Sequence, residues 1–178
     1  MINNFSVHPK PQNNNAKIAC LIMTSISVLG FIVYFMMESY RGFVGLFALF
    51  CLVTAILIYT KFISPEFYYD IIVQEGDEPI FVVRQVIGKR SSTLCRIALA
   101  DIVSVTGEDK RARREHKTDR DTRRYIYAPT LFPKYTYRIT VRSRYEKAEI
   151  VIECSEAFSQ MLLEAVGEAK TMRIGEDE

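Results

Sequence analysis

The sequence lacks the residue groupings that most metal centres need. Among its 178 residues there are two histidines, His8 and His116, and none of its four cysteines stands in C-x-x-C spacing with another. Zinc sites usually draw on closely spaced Cys and His ligands. We therefore expect no metal site, and we interpret the cysteines as small apolar residues; they are Cys20, Cys51, Cys95 and Cys154.

The sequence also lacks the motifs that enzyme sites usually carry. Gly76 and Gly88 are isolated turn glycines, so neither belongs to a glycine-rich loop that could cradle a phosphate. No serine or cysteine is paired with a histidine in a pattern typical of nucleophilic catalysis. The carboxylates at 75, 77 and 78 fall in a predicted turn, where such groups are usually solvated. We expect the protein not to be an enzyme and to need no cofactor.

Charge is absent from two long apolar runs near the N-terminus, residues 18–37 and 43–60, which only five residues separate. Helices of this length, at about 1.5 Å per residue, match the bilayer's hydrocarbon core. A signal peptide would have a shorter apolar region followed by a cleavage site. The pattern therefore predicts a transmembrane helical hairpin at 18–63, with helices at about 18–37 and 43–62. Without ionisable groups inside the runs, we do not expect transport by this chain alone.

Lysine and arginine near the ends of the two runs predict the orientation of the hairpin. Lys10 and Lys17 precede the first run and Lys61 follows the second, while the short connection holds only Arg41. By the positive-inside rule both termini are cytoplasmic, which in a bacterium means an integral protein of the cell membrane. Cysteines without partners agree with a reducing compartment.

The rest of the chain predicts an α+β protein. Residues 1–17 are polar and interpreted as a disordered lead-in, and Pro65 ends the hairpin. Residues 66–172 form a domain of about seven antiparallel strands, predicted at 67–73, 80–87, 92–99, 102–106, 125–127, 135–141 and 148–154. A C-terminal amphipathic helix follows, with Ser155 as its N-cap, and residues 173–178 form an acidic tail.

One segment of this domain, residues 110–124, is strongly basic and has no apolar period. It holds eight cations against three acids, so it is predicted to be a mobile loop or a charged helix in solvent. We expect it to contact a protein partner or anionic lipid, although a solvated loop without a partner is also possible. The candidate contact residues are Lys110, Arg111, Arg113, Arg114, Lys117, Arg120, Arg123 and Arg124.

The order of elements resembles that of a pleckstrin-homology-like (PH-like) domain. The strand-turn-strand pattern at 96–105, the hairpin at 135–153 and the helix at 155–166 are similar to bacterial membrane-anchored PH-like proteins, in which two transmembrane helices precede such a domain. The resemblance covers residues 18–170 and implies an antiparallel β-barrel or sandwich closed by the helix, in a family of mostly unknown function. An unrelated small α+β domain also fits. The loop at 74–79 is acidic, which departs from the basic lipid-headgroup loop of eukaryotic PH domains.

Three functional hypotheses follow. The first is a non-enzymatic membrane-anchored module that docks or scaffolds a protein partner at the cytoplasmic membrane face. The second is an electrostatic sensor of anionic lipid that acts through residues 110–124. The third is an accessory subunit of a larger membrane complex. Nucleic acid is not an expected partner, because Tyr125 and Tyr127 beside the basic segment form no stacking motif. The oligomeric state is left open.

Overall fold

The computed structural model of the protein describes residues 4–36, 39–73, 78–116, 121–142 and 147–176. The chain divides into two compact units. The hairpin unit contains Asn13–Pro65 and Thr130–Phe132. The sheet unit contains Met1–Gln12, Glu66–Pro129 and Pro133–Glu178. The protein is thus α+β, with two apolar helices near the N-terminus followed by two sheets and a C-terminal helix.

The hairpin unit consists of α1 (Asn15–Met36) and α2 (Arg41–Ile58), and a π-helical turn, Tyr59–Ile63, extends α2. The helical segments are 22 and 23 residues long, with mean hydropathies of 2.3 and 2.5. Only 6% of the most apolar 18-residue stretch of the first helical segment is buried, and 17% of that of the second. Most apolar side chains therefore face outward. A core helix of a soluble protein would bury most of them. Both segments have the length and composition needed to cross a membrane.

Small residues bring α1 and α2 close together. A Cβ atom added at Gly30 would lie 2.9 Å from Ala48 Cβ, and one at Gly45 would lie 2.9 Å from Tyr34 Cδ2. The Ser27 hydroxyl donates a hydrogen bond to the Ala48 carbonyl at 2.9 Å. Close backbone approach and interhelical hydrogen bonds are the usual means of association between apolar helices in lipid.

The first sheet of the sheet unit has the strand order β1-β2-β3-β4. Its strands are β1 (Phe5–Val7), β2 (Pro65–Ile72), β3 (Ile80–Ile87) and β4 (Arg90–Ala98). A glycine at the turn between β3 and β4, Gly88, has a φ of 60°, which other residues adopt only with strain. A 3₁₀ turn, Leu99–Asp101, leads to the second sheet.

The second sheet has the order β5-β7-β8-β6. It consists of β5 (Ile102–Asp109), β6 (Thr122–Tyr127), β7 (Tyr135–Arg142) and β8 (Lys147–Ile152). A short helix, α3 (Lys110–Glu115), lies between β5 and β6 in the chain, and α4 (Glu156–Glu176) follows β8. The antiparallel pairs β5–β7 and β7–β8 form the centre, whereas β6 pairs in parallel with β8.

Both sheets and α4 contribute to one hydrophobic core. The α4 stripe in it includes Phe158, Leu162 and Val166, and the Ser155 hydroxyl accepts a hydrogen bond from the Phe158 amide at 3.3 Å, as predicted for an N-cap. Tyr69 of β2 is fully buried, and its hydroxyl donates to the Tyr127 carbonyl at 2.5 Å. Burial raises the pKa of Tyr69 well above its usual value.

Three features differ from the sequence-based expectations. The lead-in is not wholly disordered, because Phe5–Val7 forms β1 and pairs with β2. The described chain therefore has an eighth strand beyond the seven predicted. The strands are not all antiparallel, since β6 is parallel to β8. The basic segment is neither a loop nor a helix throughout, because α3 covers Lys110–Glu115 and β6 begins at Thr122.

Other predicted boundaries changed little or lie outside the described residues. The predicted tail begins inside α4, which continues to Glu176. The predicted turn residues at 74–77 and 143–146, and Glu38 in the helical connection, fall outside the described residues.

Replacing either close-contact glycine in the hairpin unit should weaken the packing of α1 on α2. We expect Gly30→Leu and Gly45→Leu to destabilise the hairpin by about 1–3 kcal/mol, because each added side chain overlaps an atom of the other helix. The measurement is unfolding of the full chain in mild detergent, titrated with SDS and followed by circular dichroism. Gly42→Leu is the control, since nothing lies within 4 Å of a Cβ there. Equal effects at all three positions would contradict the described packing.

Candidate functional site

A cluster of charged and polar side chains lies on the face of the second sheet that points away from the core. Side chains alternate between the two faces of a strand. Tyr137 and Ile139 point into the core, so Arg138 between them points to the other face of the sheet. Register pairing brings further polar residues to the same face. We call this group the polar cluster; it comprises Glu108, His116, Arg124, Thr136, Arg138 and Glu149.

Arg138 is the central cation of the polar cluster. Its Nη2 lies 2.9 Å from Glu108 Oε1, and its Nη1 lies 3.9 Å from Glu149 Oε1. The side chains of Arg138 and Glu108 are only 15% and 3% exposed. Buried charges need such pairing, because removing either partner leaves the other desolvated and uncompensated. Arg138 therefore holds two buried carboxylates of different strands, one on β5 and one on β8.

His116 connects the basic segment to this sheet. Asp109 caps α3 by accepting hydrogen bonds from the amides of Arg111 at 3.0 Å and Ala112 at 2.7 Å. The helix ends at Glu115, and the next residue, His116, places Nε2 at 2.9 Å from Glu149 Oε1. The short helix is thereby fixed at both ends. The basic segment is therefore not a free loop at this point.

The eight predicted contact cations are separated into groups by the structure. Lys110, Arg111, Arg114 and Arg123 are exposed. Two others are half-buried: Arg113 donates from Nη2 to the Pro133 carbonyl at 3.2 Å, and Arg124 stands in register with Glu149. Lys117 and Arg120 lie outside the described residues.

The three exposed cations of α3 lie on one side of the helix. Lys110, Arg111 and Arg114 are at positions i, i+1 and i+4, which span about 100° of a helix circumference. Arg111 also pairs with Glu115 at 2.9 Å across one exposed turn. Such surface pairs contribute little to stability, so the charge of these side chains is accessible to a partner. We call Lys110, Arg111 and Arg114 the basic patch.

Several buried atoms of this region have no hydrogen-bond partner among the described residues. Two of these atoms, Glu108 Oε2 and Thr136 Oγ1, belong to residues that pair with each other between β5 and β7. Two more are the guanidinium atoms Arg113 Nε and Arg124 Nε. A buried polar atom without a partner costs about 1–3 kcal/mol. Because a ligand could satisfy such atoms, we take this region as the candidate functional site of the described structure.

Of the polar cluster, sequence reasoning had singled out Arg124 alone as a contact residue, and it missed Arg138 and both carboxylates. Glu149 is 33 residues from His116, and Glu108 is 30 from Arg138, so neither contact leaves a local motif. The signal that could have indicated these carboxylates is the alternation within the predicted strands, in which charged residues alternate with the apolar residues that face the core. Such alternation indicates the face of a residue but not its partner.

The two cysteines of the sheet unit, Cys95 and Cys154, are half-buried. Burial raises the pKa of the Cys154 thiol to about 12, and it also raises the pKa of Cys95. A thiol with a raised pKa is a poor nucleophile and a poor metal ligand at neutral pH.

Removing the charge of Arg138 should destabilise the sheet unit strongly. Arg138→Met leaves Glu108 and Glu149 buried without this cation, and we expect a loss of about 3–5 kcal/mol in the free energy of unfolding. The control is Arg142→Met on the same strand, where the side chain is exposed and the change should be below about 0.5 kcal/mol. Urea unfolding of the full chain in detergent measures both. Similar losses in the two variants would contradict the role given to Arg138.

The chemistry of the polar cluster suits charge pairing and binding. Its titratable members are three guanidinium or imidazole groups and two carboxylates, and it contains no serine or cysteine. In the part of the chain that the structure describes, no three His, Cys, Asp or Glu side chains are grouped as metal ligands. No protein-family model, curated protein or solved structure matches this chain.

Proposed function

We propose that the protein is a non-enzymatic module that the hairpin unit anchors in a membrane and that docks a protein partner at the cytoplasmic face. The anchoring is supported by the length of α1 and α2 and by their outward-facing apolar side chains. No charged side chain occurs within residues 18–36 or 43–60, so the bilayer would meet an apolar surface along both helices.

The observation that carries the proposal is the pairing of β1 with β2. Phe5 pairs with Ile71 and Val7 with Tyr69, although β1 precedes α1 and β2 follows α2. If each helix crosses the bilayer once, the chain leaves and re-enters the same side, as this pairing requires. Lys10, Lys17 and Lys61 favour the cytoplasm as that side.

We further propose a PH-like fold for the sheet unit. In its support, β2, β3 and β4 are consecutive neighbours in one sheet, and β5, β7 and β8 are neighbours in the other. The helix that follows, α4, contributes to the core shared by both sheets. Two elements depart from the pattern: β1 is added to the first sheet, and β6 is added in parallel to the second.

The basic patch is the surface that we assign to the partner. Its three cations project from a helix that hydrogen bonds fix at both ends, with Glu115 as the accompanying acid. Complementary charge steers association and excludes like-charged competitors. The partner is therefore a protein with an acidic surface.

Anionic lipid is the second candidate ligand. Each exposed cation near a charged leaflet contributes about 1 kcal/mol, so the basic patch would supply about 3 kcal/mol before the repulsion of Glu115. The exposure of Lys110, Arg111 and Arg114 is the observation that favours this alternative.

The proposed topology predicts that both ends of the full chain lie on one side of the membrane. Epitope tags fused before Met1 and after Glu178 should both be digested, or both be protected, when protease is added to sealed inside-out or right-side-out vesicles. Cytoplasmic termini require digestion in the inside-out vesicles only. Tags on opposite sides, or a chain released from membranes by alkaline carbonate, would contradict the proposal.

Charge reversal of the basic patch should abolish docking. Lys110→Glu/Arg111→Glu/Arg114→Glu should reduce recovery of cross-linked protein partners from the membrane at least about tenfold, because attraction becomes repulsion. The matched control is Lys89→Glu/Arg90→Glu/Arg96→Glu, which changes three exposed cations elsewhere by the same charge.

The two candidate ligands give different results in this experiment. Loss of partner proteins in the patch variant alone supports protein docking. Unchanged partner recovery contradicts it, and a parallel loss of cross-linking to a photoactivatable anionic lipid in reconstituted vesicles would then identify lipid as the ligand.

A further inference from the structure

A three-residue segment between β6 and β7 belongs to the hairpin unit and not to the sheet unit on either side of it. This segment, Thr130–Phe132, is grouped with Asn13–Pro65. The Asn13 side-chain amide donates from Nδ2 to the Phe132 carbonyl at 3.1 Å, and its Oδ1 accepts from the Asn15 amide at 3.1 Å. Asn13 thus ties the segment to the first residue of α1.

The side chains of the segment differ in exposure. Thr130 is buried and Leu131 half-buried, whereas the Phe132 ring is 67% exposed. Pro133 follows directly and restricts the Phe132 backbone to extended conformations, so the ring is displayed by a stiff segment. A large aromatic side chain exposed in this way is unfavourable in water.

The position of Phe132 along the hairpin suggests what covers its ring. Its carbonyl is bonded to Asn13, two residues before α1 begins and five before Ile18, the first residue of the apolar run. Ile18 and Leu21 in the first turns of α1 are exposed as well. The exposed ring therefore continues the outward apolar surface of α1 at the N-terminal end of that helix, where the polar lead-in gives way to the apolar run. In a membrane protein this end lies at the membrane–water interface, where aromatic side chains are enriched.

We propose that Phe132 is an interfacial lipid anchor, whose ring inserts among the lipid headgroups and upper acyl chains beside the start of α1. The inference rests on the proposed function, because it requires α1 to cross a bilayer. It adds a third membrane attachment, contributed by the connection between β6 and β7, to the two helices. The ligand is the lipid interface itself, bound through its apolar and headgroup layers without a specific headgroup.

The absence of tryptophan from the chain permits a direct test. Phe132→Trp introduces a single indole at the proposed anchor with little change in size. The full-length variant is reconstituted into vesicles that contain lipids brominated either near the headgroup or near the acyl terminus. We expect blue-shifted emission, and quenching roughly twofold stronger by the shallow bromines than by the deep ones, as for an interfacial aromatic.

Two single-tryptophan variants make the result decisive. Ile126→Trp on β6 replaces a side chain of matched exposure, 64%, in the sheet unit, and its emission should be that of an indole in water with little quenching. Phe47→Trp on α2 replaces a 59% exposed side chain of the hairpin unit and should be quenched strongly.

The outcomes distinguish a failure of the Phe132 lipid-anchor proposal from a failure of the transmembrane-hairpin proposal on which it rests. Quenching of Phe47→Trp without quenching of Phe132→Trp overturns the lipid anchor and leaves the transmembrane hairpin standing. Absence of quenching in Phe47→Trp overturns the hairpin proposal itself. Equal quenching of Ile126→Trp and Phe132→Trp overturns the assignment of a specific anchor, because any exposed side chain would then report lipid.

Discussion

The pairing of β1 with β2 is the constraint on which the path of the chain depends. β1 has only three residues, too few to be stable alone, and a buried carboxylate reinforces it. Asp70 of β2 is 3% exposed and accepts hydrogen bonds from Ser6 of β1 and Arg84 of β3. One carboxylate therefore links three adjacent strands. Because both partners satisfy it, its burial stabilises the pairing instead of opposing it.

This pairing makes the hairpin unit an insertion and not an appended N-terminal anchor. The chain forms β1, continues through α1 and α2, and returns to form β2 beside β1. An appended anchor would have one covalent connection to the domain that it carries. Here the two units are joined at Gln12–Asn13, at Pro65–Glu66 and at both ends of Thr130–Phe132.

The sequence predicted the elements whose signal is local and missed those that depend on distant partners. The two helices follow from uninterrupted apolar runs, and α4 follows from its stripe and its Ser155 cap. The strand Phe5–Val7 stands among asparagines and prolines, and its stability comes from residues 64 positions away. The residues of β6 were predicted in part, but parallel pairing with β8 leaves no trace in local pattern. The same limit hid the contact of His116 with Glu149.

The division of the basic segment bears on which ligand it can recognise. Arg113 and Arg124 are half-buried, and the described cations left on the exposed side of α3 are the three of the basic patch. Their helix is held by the Asp109 cap, by the Arg113 contact and by the contact of His116 Nε2 with Glu149. A mobile polybasic loop adapts to any anionic surface but loses conformational entropy on binding. A fixed helix loses less, and it presents its charges in one arrangement. Such an arrangement discriminates between acidic surfaces of defined shape, whereas a fluid leaflet of lipid headgroups offers no shape to select. The rigidity of α3 therefore favours protein docking over lipid sensing.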